Sequence, residues 1–343
     1  MRRPGVHEVR TLAGESVRLA MVRGLLRPAA DRLSLRAALR LADLAGTLSA
    51  ATPHGRGVRR ELDRGFGPGE GGRIARAHFA LPYRDFVALR RLVTGRDHAE
   101  AWRMTEDVPD ATVALRESGA PFIVATGHFA RLPFYYLYAP PAIPERVHVS
   151  AMVAPLPPPG RHPETRRIHL QFGQSLTVLK ATRANIDLVV IRECGSVAGL
   201  LGNLRQEWQA AVIAADAPAW DGPLTRPFAG RRSRRFALGC AHLARLAQCP
   251  VVVCAPSWDG DGRVLLEWGE PIPPPARRDR LADTDVTNAI LDQLETAVGR
   301  RPDQYLLPIG GDRRWDQAAG RWRDAEPATE SERAAPGHAA PAA

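Results

Sequence analysis

The sequence predicts an α/β fold: a mostly parallel sheet flanked by helices, preceded by a helical N-terminal region. Two patterns carry this expectation. From about residue 120, short apolar runs rich in β-branched residues alternate with longer amphipathic stretches, the order that builds parallel strands joined by helices. Before that, residues 9–105 keep a helical spacing of apolar positions. Length adds a bound, since 343 residues at 45% hydrophobic content can bury one large core or two modest ones.

In chain order, Val17, Leu19, Ala20, Met21, Leu25 and Leu26 alternate with Arg18, Arg23 and Arg27, and Pro28 is expected to end that segment. A second helix over 33–48 sets Leu35, Leu39, Ala42 and Leu44 among Arg32, Arg36 and Arg40. Basic amphipathic helices of this kind fit either a lipid interface or a packed cap with a solvated arginine face. A Gly/Pro loop over 65–72 leads to a helical stretch over 74–93. Strands are expected over 122–126, 147–153, 176–179, 211–215, 251–255 and 264–268. Helices are expected over 164–172, 196–208, 234–247 and 285–298. Asp259-Gly260-Asp261-Gly262, between two strands, reads as a hairpin turn rather than a calcium loop. The division is a helical region over 1–110, an α/β domain over 111–320 and a disordered tail over 321–343, where Ala, Pro, Glu and Ser dominate.

The net charge is +10 and Lys180 is the only lysine, so the basic surface is arginine. Such a surface suits an anionic membrane, an acidic carrier protein, the phosphates of coenzyme A, or nucleic acid. Cys194, Cys240, Cys249 and Cys254 form no Cys-x-x-Cys pair and read as buried thiols of a reducing cytoplasm. Glu8, Arg10, Glu15 and Arg18 interrupt anything like a signal peptide, and no window reaches the purity of a membrane span.

The stretch Pro121-Phe122-Ile123-Val124-Ala125-Thr126-Gly127-His128-Phe129-Ala130-Arg131-Leu132-Pro133 organises the rest. A strand ending at Gly127 places His128 at the carboxyl edge of the sheet, where loops converge on ligands. A neutral imidazole there suits a general base, and a structural histidine is the alternative reading. The second focus is the run from Leu224 to Phe236, holding Arg226, Arg231, Arg232, Arg234 and Arg235. Placed at the start of the helix expected over 234–247, it suits a phosphate or carboxylate site, and a solvated basic loop is the alternative reading. Nucleic acid is not expected, since aromatics are sparse around the cluster and no binding module is recognisable. Phe134, Tyr135, Tyr136 and Tyr138 are either core or the lining of an apolar groove. No Gly-x-Ser-x-Gly elbow, phosphate loop or dinucleotide fingerprint is present, and His162 and His169 lack helical zinc spacing.

Several segments together resemble the bacterial lipid A biosynthesis acyltransferases (lauroyl/myristoyl type), a branch of the lysophospholipid acyltransferase superfamily. Gly127-His128-Phe129 is similar to that family's signature, and Arg73-Ile74-Ala75-Arg76-Ala77-His78-Phe79 to its N-terminal segment. Val212-Ile213-Ala214-Ala215-Asp216 with Pro227-Phe228-Ala229-Gly230 resembles its strand ending in Asp and the loop after it. Arg301-Pro302-Asp303-Gln304-Tyr305-Leu306 resembles its terminal motif. The resemblance spans about residues 55–315 and implies a glycerolipid acyltransferase-like fold. It also implies transfer of a fatty acyl group from acyl-CoA or acyl-carrier protein to a hydroxyl or amine of a lipid, glycolipid or related small-molecule acceptor.

In that reading His128 is the base, and Gly127, Phe129, Arg131, Asp216, Arg226, Phe228, Gly230, Arg231 and Arg234 surround donor and acceptor. No metal or redox cofactor is implied, and the expected place is the cytoplasmic face of the membrane, held peripherally. Two departures stand out. Pro133 occupies the position of the acid that orients the family's histidine, so either a carboxylate from elsewhere substitutes, with Glu193 and Asp216 as candidates, or His128 works alone and slowly, or the chemistry has changed. A Pro-rich loop near Met152-Val153-Ala154-Pro155 replaces an expected arginine. The alternative is therefore a divergent member, acting on a specialised metabolite or binding acyl chains or membrane without turnover.

Overall fold

The computed structural model describes residues 20–95, 104–139, 142–153, 183, 185–190, 195–217, 219, 222–259 and 263–324. The strand and helix expected over 176–179 and 164–172, together with Glu193, Cys194, His162 and His169, lie outside the described residues.

After a π-turn over Val22–Leu26 come α1 (Arg27–Arg32), α2 (Leu35–Ala50), α3 (Pro53–Phe66) and α4 (Glu70–Val93). Pro28 does not end the first segment: the helical backbone runs through Leu26 and Arg27 into α1, and the π-turn before the proline, with Arg27 N–H bonded to the Val22 carbonyl, takes up the irregularity. Ser34 and Thr52 cap α2 and α3 through their side-chain oxygens. The expected 65–72 loop shrinks to Gly67 to Gly69, because Gly67 (φ 104°) and Gly69 (φ 88°) turn the chain in two positive-φ steps. In α2 the small residues Ala38, Ala42, Ala45 and Gly46 are buried, whereas Leu44 and Leu48 are exposed. A Cβ at Gly46 would overlap the backbone of Ala80, so α4 approaches too closely for larger side chains.

The sheet has seven strands in the order β1-β9-β8-β2-β5-β3-β4. They are β1 (Met104–Asp107), β2 (Phe122–Thr126), β3 (His148–Val153), β4 (Ile186–Val190), β5 (Gln209–Ala214), β8 (Val251–Trp258) and β9 (Val264–Trp268). All neighbours pair in parallel except β8 with β9. Those two form the hairpin expected at Asp259, whose N–H reaches the Arg263 carbonyl at 2.8 Å. Every residue of β2 is buried, as a strand covered on both faces requires. Ile123 and Ala125 face a core shared with Leu62, Ile74 and Phe79, as well as α8 (Gly239–Ala247) and α9 (Ala282–Arg300). Phe122 and Val124 face the opposite core, which holds Tyr135, Tyr136 and Tyr138. The aromatic run is thus packed interior, not the lining of a groove. The other helices are α5 (Asp110–Glu117), α6 (Arg131–Tyr136) and α7 (Gly195–Asn203).

The arginine-rich segment departs from expectation. It forms an antiparallel hairpin, β6 (Leu224–Phe228) with β7 (Arg231–Phe236), and helix α8 begins only at Gly239. Ala229 (φ 48°) and Gly230 (φ 76°) supply the paired positive φ angles of a two-residue hairpin turn. No helix terminus therefore meets Arg231 or Arg234. A second hairpin, β10 (Arg313–Asp316) with β11 (Arg321–Asp324), carries ordered structure past the boundary expected at 320.

Candidate active site

The site grows from the carboxyl ends of two adjacent strands. Strand β2 ends at Thr126, and the Thr126 carbonyl accepts from Ala215 N–H at 2.8 Å, continuing the β2–β5 ladder by one step. That step sets Asp216 beside Gly127. A Cβ at Gly127 would lie 2.8 Å from the Phe129 ring and 3.1 Å from Asp216 Oδ2, so only glycine leaves room for the carboxylate. Gly127→Ala is expected to destabilise the fold by about 1–3 kcal/mol through overpacking, read as a lower denaturation midpoint.

Asp216 is fully buried and holds His128 twice. Oδ2 accepts from the His128 backbone N–H at 2.8 Å, and Oδ1 lies 2.6 Å from the imidazole Nδ1. An ionised carboxylate only accepts, so Nδ1 carries the proton and the Nε2 lone pair is free. The histidine side chain is 39% exposed, leaving Nε2 a route to solvent or substrate. Burial of the ring disfavours its charged form. The hydrogen bond and charge of Asp216 outweigh this, with Arg131 and Arg234 opposing them, and the pKa stands above its ordinary value.

The backbone around the histidine is pinned. Leu306 N–H donates to the His128 carbonyl at 2.7 Å, and Phe129 pairs with Tyr305 in an antiparallel bridge. His78 Nδ1 donates to the Tyr305 carbonyl at 2.9 Å. The Tyr305 ring is fully buried, 5.5 Å from Phe129 and 6.4 Å from Phe228. Burial pushes its hydroxyl pKa well up, the Asp216 charge adds to that, and Arg234 opposes it. Asp85, buried on α4, accepts from Arg131 N–H at 2.7 Å and fixes the start of α6. Pro133 then falls in the first turn of that helix, where proline is tolerated.

The residues expected from sequence divide accordingly. Gly127, His128 and Asp216 come together, with Phe129 as packing beneath them and Arg131 and Arg234 as charged neighbours. Asp216 orients the imidazole and, being fully buried, does not reach out to a ligand. Arg234 stacks 5.8 Å over Phe228. Arg226 is committed to α9, donating to the Asn288 carbonyl, Asp292 and Glu295. Phe228 is fully buried, and Gly230 packs on the Gly310 carbonyl, so both shape the hairpin and neither is open to substrate. Sequence reasoning did not single out Asp85, or Tyr305 and His78 as supports of the site. A lone acid within the apolar stretch from Leu81 to Leu89 was the available signal for Asp85.

Behind Leu306 lies a cavity of about 580 Å³, within the size range of small-molecule sites. Val58, Leu62, Phe79, Leu306 and Ile309 make its apolar wall, and His78 and Arg231 bring polar atoms to it. The His128 side chain does not line this cavity; the link is the hydrogen bond from Leu306 to the His128 carbonyl. Cys240, Cys249 and Cys254 are buried, and burial pushes the first two thiols up to about 12, which leaves them inert. Among the described residues, no three His, Cys, Asp or Glu side chains cluster as a metal site requires.

No protein-family model matches the chain, and no curated protein matches it. Among solved structures, it is similar to the crystal structure of the 1-acyl-sn-glycerophosphate (LPA) acyltransferase PlsC from Thermotoga maritima. That match has 11% identity, covers 74% of this chain and 95% of that one, and has a TM-score of 0.34. At that score the likeness carries no weight for chemistry, which rests on the geometry of the chain's own residues.

Proposed function

We propose that the chain is an acyltransferase of the lipid A biosynthesis type. It would move a fatty acyl group from acyl-CoA or acyl-carrier protein to a hydroxyl or amine of a lipid or glycolipid. The observation that carries this reading is the His128–Asp216 pair, with a buried carboxylate on Nδ1 and a partly exposed imidazole at the carboxyl edge of the sheet. The resemblance of four sequence segments to that family supports it, and the pair supplies the carboxylate that Pro133 displaced.

In this mechanism Nε2 takes the proton of the acceptor as its oxygen or nitrogen attacks the thioester carbonyl, and Asp216 stabilises the imidazolium that results. The tetrahedral intermediate then collapses, and the departing sulfur takes the proton from the imidazolium. Phe129 N–H is bonded to the Gly127 carbonyl and His128 N–H to Asp216, so neither serves the oxyanion. The Arg131 and Arg234 guanidiniums, the charged neighbours of His128, are the groups left to stabilise it.

The test is release of free thiol from acyl-CoA and acyl-carrier protein, with and without lipid and amine acceptors. Acceptor-dependent release supports the reading. A protein that binds acyl chains yet consumes no thioester with any acceptor would replace it with a binding role.

A further inference from the structure

The buried carboxylate of Asp216 has acceptor capacity to spare. An ionised carboxylate offers about four lone-pair sites, and the His128 backbone N–H and imidazole Nδ1 take one each. Beside this carboxylate stand two buried donors that make no completed hydrogen bond, the Tyr305 hydroxyl and Arg234 Nη1. Buried donors are nearly always paired, so each of these calls for an acceptor.

Packing brings the donors and the carboxylate together. A Cβ at Gly127 would meet both the Phe129 ring and Asp216 Oδ2, and the Phe129 ring lies 5.5 Å edge-on from the fully buried ring of Tyr305. Phe228 lies 6.4 Å from Tyr305, and the Arg234 guanidinium sits 5.8 Å over Phe228. The bridge to Phe129 and the bond from His78 fix the Tyr305 backbone, which leaves its ring little freedom to turn away. Burial dominates the raised pKa of the Tyr305 hydroxyl. After it come Asp216, which raises the value as an acceptor does, and Arg234, which lowers it as a donor does.

We propose that Tyr305 is a positioning residue: its hydroxyl donates to Asp216, accepts from Arg234, and so fixes the carboxylate that orients His128. The order of donation runs from Arg234 to Tyr305 to Asp216, and the His128 imidazole donates to the same carboxylate. A donor on Asp216 also spreads its negative charge and weakens its pull on the imidazolium. The hydroxyl therefore holds the His128 pKa below the value the pair would reach without it. Burial, Arg131 of α6 and Arg234 of β7 lower it as well. From α4, His78 approaches at the Tyr305 carbonyl and Asp85 at the Arg131 N–H. The contribution of Tyr305 to turnover rests on the acyl-transfer reading; its effect on the His128 titration does not.

Tyr305→Phe in the full chain removes the hydroxyl and keeps the ring, which separates this role from packing. The His128 pKa, read by NMR titration of its imidazole, is expected to rise by about 0.5 to 1 unit. The maximal rate of thioester turnover should fall by about tenfold with KM nearly unchanged, and its rising limb should move to higher pH. Tyr138→Phe removes a buried hydroxyl from the opposite core and should leave both titration and rate in place. A His128 titration unmoved in Tyr305→Phe would overturn the proposal, and so would an equal shift in Tyr138→Phe. If the wild-type protein consumes no thioester, the acyl-transfer reading fails by itself, and the titration still decides the role of Tyr305.

Discussion

Asp216→Asn is expected to lower the maximal rate of thioester turnover by about 10³–10⁴-fold, a loss on the scale of other orienting carboxylates, while leaving His128 in place. The reason lies in the two bonds the carboxylate makes. One oxygen must still accept the His128 backbone N–H, so the amide would turn its oxygen there and its NH₂ group toward Nδ1. Nδ1 then becomes the acceptor, the proton moves to Nε2, and the base is lost without any change of shape. His128→Ala should fall at least as far, with both variants compared by saturating-substrate rates.

The pH dependence separates the two roles of Asp216. In the proposed mechanism the base is the neutral imidazole, so turnover should rise with pH through a His128 pKa that stands above its ordinary value. In Asp216→Asn the influences that remain, burial with Arg131 and Arg234, all lower that pKa. The rising limb of the residual activity should therefore move to lower pH. Stability follows the same sign. A folded pKa above the unfolded one stabilises the native state below the unfolded value, and that contribution is lost as pH rises through the folded value. The variant should lose stability mainly on the acid side, read by denaturation at several pH values. A rising limb that stayed in place would assign the base to another group.

The central strand and its histidine were legible because Phe122 to Thr126 is apolar without interruption and Gly127 breaks it. Strand β5 was legible for the same reason, ending in Asp216. Their partnership was not, because it depends on β5 lying next to β2 in the sheet, with His128 and Asp216 88 residues apart in sequence. Sheet order is set by how the helices pack, and strand patterns do not encode it. The arginine hairpin was misread as a helix start because Arg231 to Arg235 offers little apolar periodicity of any kind. Its two-residue turn also uses an alanine at positive φ, where Asn or Asp would have signalled it. The edge strand β1, Met104-Thr105-Glu106-Asp107, is short and half-exposed and lacks the apolar run that marks the centre of the sheet, whereas β4 holds such a run in Leu188-Val189-Val190 and was passed over. Leu44 was expected to be one of the apolar positions that order α2, and it points outward because Gly46 brings α4 too close for leucines between the helices.

Glu295→Ala is expected to cost about 3 kcal/mol of folding stability, the largest structural effect anticipated from one side chain here. This carboxylate is nearly buried on α9 and joins both small hairpins to the domain. Oε1 accepts from Ala229 N–H at 3.0 Å in the turn of β6–β7 and from Arg313 at 2.9 Å in β10. Oε2 lies 3.3 Å from Arg226 Nη2. Burial pushes the Glu295 carboxyl up, with Arg313 and Arg226 pulling it down, so the site has desolvated three charges and relies on their mutual neutralisation. Alanine would leave Arg313 without this acid and the Ala229 N–H without an acceptor, although Arg226 would keep Asp292 and Asn288. Glu295→Gln retains an acceptor for Ala229 and should cost less. The measurement is the urea midpoint at constant slope, so that a change in midpoint reports stability. Because the hairpin also carries Arg234 beside the His128–Asp216 pair, Glu295→Ala should lose activity along with its folded fraction. His128→Ala should lose activity with a smaller drop in midpoint, because it strips one hydrogen bond from the buried Asp216 carboxylate and leaves the other. That contrast separates the frame of the site from its chemistry, and a wild-type midpoint in Glu295→Ala would show that the Glu295 cluster contributes no net stability.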